Sequence, residues 1–249
     1  MKTTGLLVLL IGAFALNPNA ASAFDFFKCP LGSTLVGDPP PKGYKTVCMK
    51  KDRTKHGKET KWYENGKKRF ETEFRDGKEH GKSTVWHENG QKAFEAEFRN
   101  GNKHGKWTLW YDNGQKKSET EFLNGKEHGK WTVWHENGQK ESEAEYRGGK
   151  EHGKSTVWHE NGKKKFETEF LNGNKHGKWT LWYENEQKEA EAEFRNDKAH
   201  GKWTSWHKNG KKKSEGEMRD GKQHGKWTDW NDNGQKAFEG EYRDGKQIR

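Results

Sequence analysis

From His56 to Arg249, apolar and polar residues alternate in runs of six or seven, and the whole pattern recurs every 24 residues. His-Gly-Lys marks each copy at 56, 80, 104, 128, 152, 176, 200 and 224, with no insertion between copies. The copy from His104 to Glu127 carries two turn signals, Asn113-Gly114 and Asn124-Gly125. The first signal, Asn-Gly, is broken only at Asn185-Glu186, and the second, a polar residue or Gly followed by Gly, only at Asn196-Asp197. Asn-Gly supplies the positive φ angles of two-residue hairpin loops, and period-two alternation marks strands with unlike faces. Each copy therefore predicts a β-hairpin, and eight copies predict about sixteen antiparallel strands. At about 4.8 Å per strand the array would be roughly 75 Å long.

The alternation also predicts register. With Asn113-Gly114 as the loop, Tyr111 faces Lys116, Leu109 faces Ser118, Trp107 faces Thr120 and Lys106 faces Glu121. One sheet face then holds Trp107, Leu109, Tyr111, Ser118, Thr120 and Phe122. The other holds Lys106, Thr108, Trp110, Glu119 and Glu121, pairing Lys with two Glu columns in every copy. Copies compensate for one another. Where the Trp107 column holds Glu59, Ser83 or Ser155, the Ser118 column holds Phe70, Phe94 or Phe166. Where it holds Trp107, Trp131, Trp179 or Trp203, the partner is Ser118, Ser142, Ala190 or Ser214. Only Trp227 with Phe238 breaks the pattern. Two rings that compete for one space are diagonal neighbours on one face. That face is the expected thin core, with Phe74, Phe98, Phe122, Tyr146, Phe170, Phe194, Met218 and Tyr242 as its steadiest column. The predicted fold is all-β: an elongated single-layer antiparallel sheet of about eight 24-residue hairpins, each stable only against its neighbours.

The N-terminal region departs from this pattern. Lys2, the apolar run 5–16 and Ala21-Ser22-Ala23 form the three parts of a secretory signal peptide over 1–23, cleaved after Ala23. Twelve apolar residues fall short of the roughly 20 that span a bilayer, so no transmembrane segment is expected after cleavage. Export to the periplasm, cell surface or medium would oxidise Cys29 and Cys48 to one disulfide, closing a small cap over 24–55 ahead of the repeats at 56–249.

Composition narrows the function. The chain of 249 residues has 48 Lys and Arg against 38 Asp and Glu, a net +10, and only 27% hydrophobic residues. Mean hydropathy is −1.45. So little aliphatic material excludes a membrane-spanning bundle and argues against a large α/β enzyme. No nucleophile-elbow, zinc-protease or phosphate-loop motif occurs. Every Glu, His and Lys suited to acid–base work belongs to a repeated column, whereas an active site is a singular constellation. No catalytic residue, cofactor or metal site is expected. The turn histidines stand two strands, about 10 Å, apart, too far to share one metal. The calcium-loop-like Asp229 to Gly234 has its Glu one residue early, at Glu239, and reads as a turn.

One unbroken column is the candidate binding surface: Trp62, Trp86, Trp110, Trp134, Trp158, Trp182, Trp206 and Trp230. Lys106, Lys130, Lys154 and Lys178 represent its supporting charges. Such a ladder of rings can shield Lys and Glu stems, hold a protein strand or stack sugar rings. Nucleic acid is disfavoured, because Glu is interleaved with Lys in every copy and no continuous basic stripe is visible in the sequence. Envelope glycan or anionic lipid is the alternative to a protein partner.

These residues resemble the MORN repeat in its bacterial variant form. That motif runs Tyr-x-Gly-x-aromatic-x-x-Gly-x-x-x-Gly-x-Gly, then six residues and Gly. Phe122, Gly125, Gly129 and Gly138 fall on the aromatic and three of the glycines, while Ser118, Thr120 and Trp131 replace the Tyr and two other glycines. The resemblance implies hairpins stacked into an open sheet or groove. It implies scaffolding, dimerisation or lipid binding as functions. It also implies an antitoxin role, which a signal peptide would contradict. The expected function is a non-enzymatic exported scaffold that binds a protein through its sheet face or edge.

Overall fold

The computed structural model describes residues 28–249. The expected signal peptide and the first residues of the cap lie outside the described residues. The cap supplies two strands, β1 (Ser33–Val36) and β2 (Lys45–Lys50). The hairpins follow as β3 (Lys55–Trp62) with β4 (Lys68–Arg75), β5 (Lys78–Trp86) with β6 (Lys92–Arg99), and the split strand β7 (Asn102–Lys103) and β8 (Gly105–Trp110) with β9 (Lys116–Leu123). Then come β10 (Lys126–Trp134) with β11 (Lys140–Arg147), β12 (Lys150–Trp158) with β13 (Lys164–Leu171), and β14 (Asn174–Trp182) with β15 (Lys188–Arg195). The series closes with β16 (Lys198–Trp206) and β17 (Lys212–Arg219), β18 (Lys222–Trp230) and β19 (Lys236–Arg243), and the short β20 (Lys246–Gln247). Successive strands pair antiparallel, so all 20 form one open meander. The Cys29–Cys48 disulfide is present, with Cα atoms 5.6 Å apart.

The two loops of each copy use different chemistry. Asn124 and Gly125 both take left-handed conformations, φ 52° and 81°, and Leu123 pairs with Lys126. This is the two-residue loop that Asn-Gly favours. Asn196 and Asp197 hold the same conformation where glycine is missing. The first loop departs from expectation. Gly114 N–H donates to the Tyr111 carbonyl at 2.9 Å, Tyr111 N–H donates to the Gln115 carbonyl at 2.9 Å, and in this loop only Gly114 is left-handed. That is a three-residue loop, a type I turn followed by a glycine bulge. Asn113 serves through its side chain instead, its Oδ1 accepting the Gln115 N–H at 2.9 Å. The bulge shifts register by one, so Trp110 and not Tyr111 pairs with Lys116. The other three expected pairs, Leu109 with Ser118, Trp107 with Thr120 and Lys106 with Glu121, are found.

Both turn edges also tie copies together. Gly125 N–H donates to the Lys103 carbonyl of the preceding copy at 2.8 Å. Asn89 Nδ2 donates to the Asp112 carbonyl of the following copy at 2.9 Å. Equivalent bonds recur along the chain. Asn65, Asn89, Asn113, Asn137, Asn185 and Asn209 thus each have two tasks, within the loop and across to the next copy, which fits the presence of Asn at this position in every copy.

Burial corrects the expected core. Of the column led by Phe74 only Phe122 is buried. The consistently buried column is Thr60, Thr84, Thr108, Thr132, Thr156, Thr180, Thr204 and Thr228, on the charged face. No second layer of structure covers either face among the described residues. Side chains bury one another by lying flat, so a short β-branched residue in mid-strand disappears beneath longer neighbours while rings remain half-buried.

On the aromatic face Thr168 is wholly buried, and its Oγ1 finds no hydrogen-bond partner. A buried unpaired hydroxyl costs free energy that an isosteric methyl does not. Thr168→Val is therefore expected to stabilise the protein by about 1 kcal/mol. A urea midpoint at or below that of the parent would contradict this.

Candidate functional site

The Trp column lies on the charged face, each ring half-buried. The first-loop bulge places the Lys116 column beside it. Lys68, Lys92, Lys116, Lys140, Lys164, Lys188 and Lys212 each set an ammonium 5.6–5.9 Å from the ring centre of the next copy's Trp, from Trp86 to Trp230. Trp62 occupies the equivalent place at the head of the column, opposite Lys68. The same ammonium reaches the Glu three residues on, as in Lys116–Glu119 at 2.7 Å and Lys140–Glu143 at 2.6 Å. The facing strand brings a second cation to that Glu. Lys106, Lys130, Lys154 and Lys178 stand 3.5, 3.1, 2.9 and 3.5 Å from Glu119, Glu143, Glu167 and Glu191. The unit is one carboxylate between two lysines, with a Trp ring beside one of them.

Shallow hollows recur along this face. One of about 340 Å³ is lined by Lys178, Lys188, Glu191, Lys202, Thr204, Trp206 and Lys212. Another, about 510 Å³, is lined by their counterparts one copy on, including Lys202, Thr228, Trp230 and Lys236.

The paired carboxylates titrate low. Burial pushes Glu119 up, but the ammoniums of Lys116 and Lys106 outweigh it and hold the carboxyl below its ordinary value of 4.5. Lys140 is the leading influence on Glu143, against burial, with the same result. Glu71, Glu167, Glu191 and Glu215 shift in the same direction. A carboxylate with a lowered folded pKa stabilises the fold fully above its unfolded value and loses that contribution as pH falls through the folded value. Far-UV circular dichroism is therefore expected to show the sheet weakening as pH falls below 4.5. The pH dependence should be shallower in 1 M salt, about 3 Å of Debye length. An acid transition indifferent to salt would count against these pairs.

The opposite face carries the rings of the compensating columns. Trp107 contacts Phe94, Phe98 and Phe122 at centroid distances of 5.1, 5.7 and 4.9 Å. Trp179 stacks on Trp203 at 5.7 Å and 21° across the small Ala190 and Ala192. Trp131 and Leu109 are the most open large apolar residues of this face in the central copies, at 36% and 38% exposure. The exceptional pair, Trp227 and Phe238, is accommodated by Gly216 and Gly240 beneath the rings. At the cap end, Glu59 takes a Trp position on this face. It is buried between Lys45, Lys55 and Lys61, at 3.2, 2.6 and 3.7 Å.

The two faces differ in kind, as the sequence columns imply: the charged face repeats Lys, Thr, Trp, Lys, Glu and Glu in all eight copies, while the aromatic face changes from copy to copy. Sequence reasoning missed the segregation of charge between the turn edges. Lys and Glu are interleaved along the chain, but each hairpin sends its two loops to opposite edges. The eight two-residue turns, from 75–78 to 243–246, carry twelve Arg and Lys against four Asp. The eight bulged loops, from 63–67 to 231–235, carry eight Asp and Glu against four Lys. One edge of the sheet is therefore rich in cations, though the uncharged turn 171–174 interrupts the row, and counting charges along the chain hides this segregation.

Among the described residues no group of three or more His, Cys, Asp and Glu could hold a metal ion. The 229–234 segment is an ordinary bulged loop, with Gly234 N–H donating to the Asn231 carbonyl at 2.9 Å.

The chain matches the family described as MORN repeat variant at 55–76, 79–100, 103–124, 127–147, 151–172, 175–196, 199–220 and 223–244. No curated protein matches. Among solved structures, part of a mutant TarM from S. aureus is similar, at 8% identity and a TM-score of 0.22. That match covers 64% of this chain and only 23% of the other, a likeness too slight to establish a common fold.

Proposed function

Because the chain belongs to the MORN repeat variant family, we propose that it is a non-enzymatic exported scaffold whose aromatic sheet face holds a partner protein. The carrying observation is the contrast between faces. The charged face is the same in every copy, and its Trp rings and the Glu119 column are engaged by lysine ammoniums. The aromatic face varies, so it offers a non-repeating surface of the kind a single protein can match. Trp131 and Leu109 stand open at its centre with no layer above them. Exposed aromatic patches of this kind mark interaction sites, and Trp is prominent among interface anchors. The Cys29–Cys48 bond suits an oxidising compartment and disfavours a cytoplasmic antitoxin role. Among the described residues no helix is long and apolar enough to cross a membrane.

The two adjacent hollows favour a second reading, an envelope glycan lying along the Trp column. An affinity pull-down from the cell envelope separates the two. The bait is residues 24–249, compared with Leu109→Ser/Trp131→Ser and with Trp110→Ser/Trp134→Ser/Trp158→Ser. A stoichiometric protein lost only with the first variant supports the aromatic face. Loss only with the second moves the interface to the Trp column. Saccharide retention that survives salt and vanishes with the second variant supports the glycan reading.

A further inference from the structure

We propose that the two-residue-turn edge of the sheet is a binding ridge for an unbranched polyanion carrying phosphate or sulfate groups. This surface is separate from the aromatic face and from the Trp column. Its turns carry a net +8, most of the chain's net +10. Arg75, Arg99, Arg147, Arg195, Arg219 and Arg243 are all exposed, and none makes an ion pair among the described residues. Each of their turns adds a cation or no charge on the far side of the loop, as at Arg147 and Lys150. Many lysines on the charged face are paired with a carboxylate, as Lys116 and Lys106 are with Glu119. Directly behind the edge, the Lys106 column stands opposite the Glu121 column in every copy, so that layer contributes no net charge.

The cations are held in place by the backbone. Left-handed residue pairs fix each turn, and the turn N–H donates to a carbonyl of the preceding copy at 2.8–3.0 Å. The spacing is two strands, about 10 Å per copy. Guanidinium groups bind phosphate and sulfate oxygens in forked pairs, and charge-assisted bonds of this kind are the strong ones. The charges do not converge on one point, so a small anion meets only one or two of them. A chain running along the edge meets many. The row is interrupted at Leu171-Asn-Gly-Asn174, which carries no charge, so a short polymer would bind on either side and a long one would bridge both. A line of charge one hairpin tip wide suits a polymer better than the plane of a membrane.

The experiment titrates the protein, residues 24–249, with long-chain inorganic polyphosphate at low salt, following intrinsic Trp fluorescence. Dextran sulfate in parallel distinguishes phosphate from sulfate preference. Two variants each remove four positive charges: Arg147→Gln/Arg195→Gln/Arg219→Gln/Arg243→Gln on the ridge, and Lys67→Gln/Lys163→Gln/Lys208→Gln/Lys211→Gln on the opposite edge. The ridge variant should weaken binding on the order of tenfold or more, and the control by less than about threefold. Tripolyphosphate should bind the parent far more weakly than the long chain, a comparison that holds even if a variant fails to fold. Equal losses in both variants, equal affinity for the short and long anions, or capture by anionic vesicles without polyphosphate binding would each overturn the proposal.

Discussion

Gly216→Ala is expected to destabilise the protein by about 1–3 kcal/mol, although the same column holds Ala96, Ala144 and Ala192 in other copies. Gly216 is not in a left-handed conformation, so its backbone would accept alanine, and the unfolded chain would lose entropy in alanine's favour. The ring of Trp227 decides the sign. An added Cβ would sit 2.1 Å from Cε3, 2.7 Å from Cδ2 and 2.8 Å from Cζ3 of that indole. The ring cannot swing away cheaply. It is buried, and its Nε1 donates to Asp229 Oδ1 at 3.0 Å. Trp227 is also the copy that keeps a Phe, Phe238, in the compensating column. The second ring's Cζ lies 2.6 Å from where a Cβ on Gly240 would be. Two glycines therefore provide the volume that a small residue provides elsewhere. In a Trp227→Ser background Gly216→Ala should become neutral or stabilising by about 0.5 kcal/mol. A urea-unfolding double-mutant cycle measures the coupling, and strict additivity would refute the packing account.

That pair also shows what the sequence made legible and what it did not. The 24-residue period exposed hairpins, faces and compensating columns, because alternation and side-chain volume are local properties that eight copies display repeatedly. Volume alone left Trp227 with Phe238 as an exception, since the relief comes from Gly216 on a strand in the preceding copy. The Asn113-Gly114 bulge was hidden for a related reason. Asn-Gly suits both two- and three-residue loops, and the choice is made by the Tyr111 and Gln115 backbone bonds. That one-residue difference moves Lys116 to the charged face and next to Trp134, so the unit around the Trp column could not be assembled from alternation. The basic edge was obscured by counting charges along the chain, where Glu and Lys alternate, instead of by loop, where they separate. The burial of Thr108 and its equivalents required knowing that long neighbours lie over a sheet with no second layer.

Cys29→Ser with Cys48→Ser is expected to cost about 3 kcal/mol, because the bond closes a loop with a sequence separation of 19. The loss should be local. In a repeat array each unit contacts only its neighbours, so stability is a sum of unit and interface contributions. The bond holds the segment that packs against the first hairpin. A Cβ on Gly57 would meet Pro30 Cδ at 2.6 Å and Cys48 Cβ at 2.9 Å, which places the cap directly on that strand. The cap also supplies Lys45 to the buried Glu59. Burial raises the Glu59 pKa, while Lys55 and Lys45 outweigh it and keep the carboxylate ionised. Once the cap loosens, Glu59 retains Lys55 and Lys61 but loses Lys45 and its cover. The first hairpin should therefore open with the cap, whereas later copies keep both neighbours. Hydrogen exchange is the discriminating measurement. Protection should fall in β2, β3 and β4 of the double variant and stay at the parent level from β10 onward. Uniform loss along the whole sheet would mean that the array unfolds as one cooperative unit, with the cap acting as its global lock.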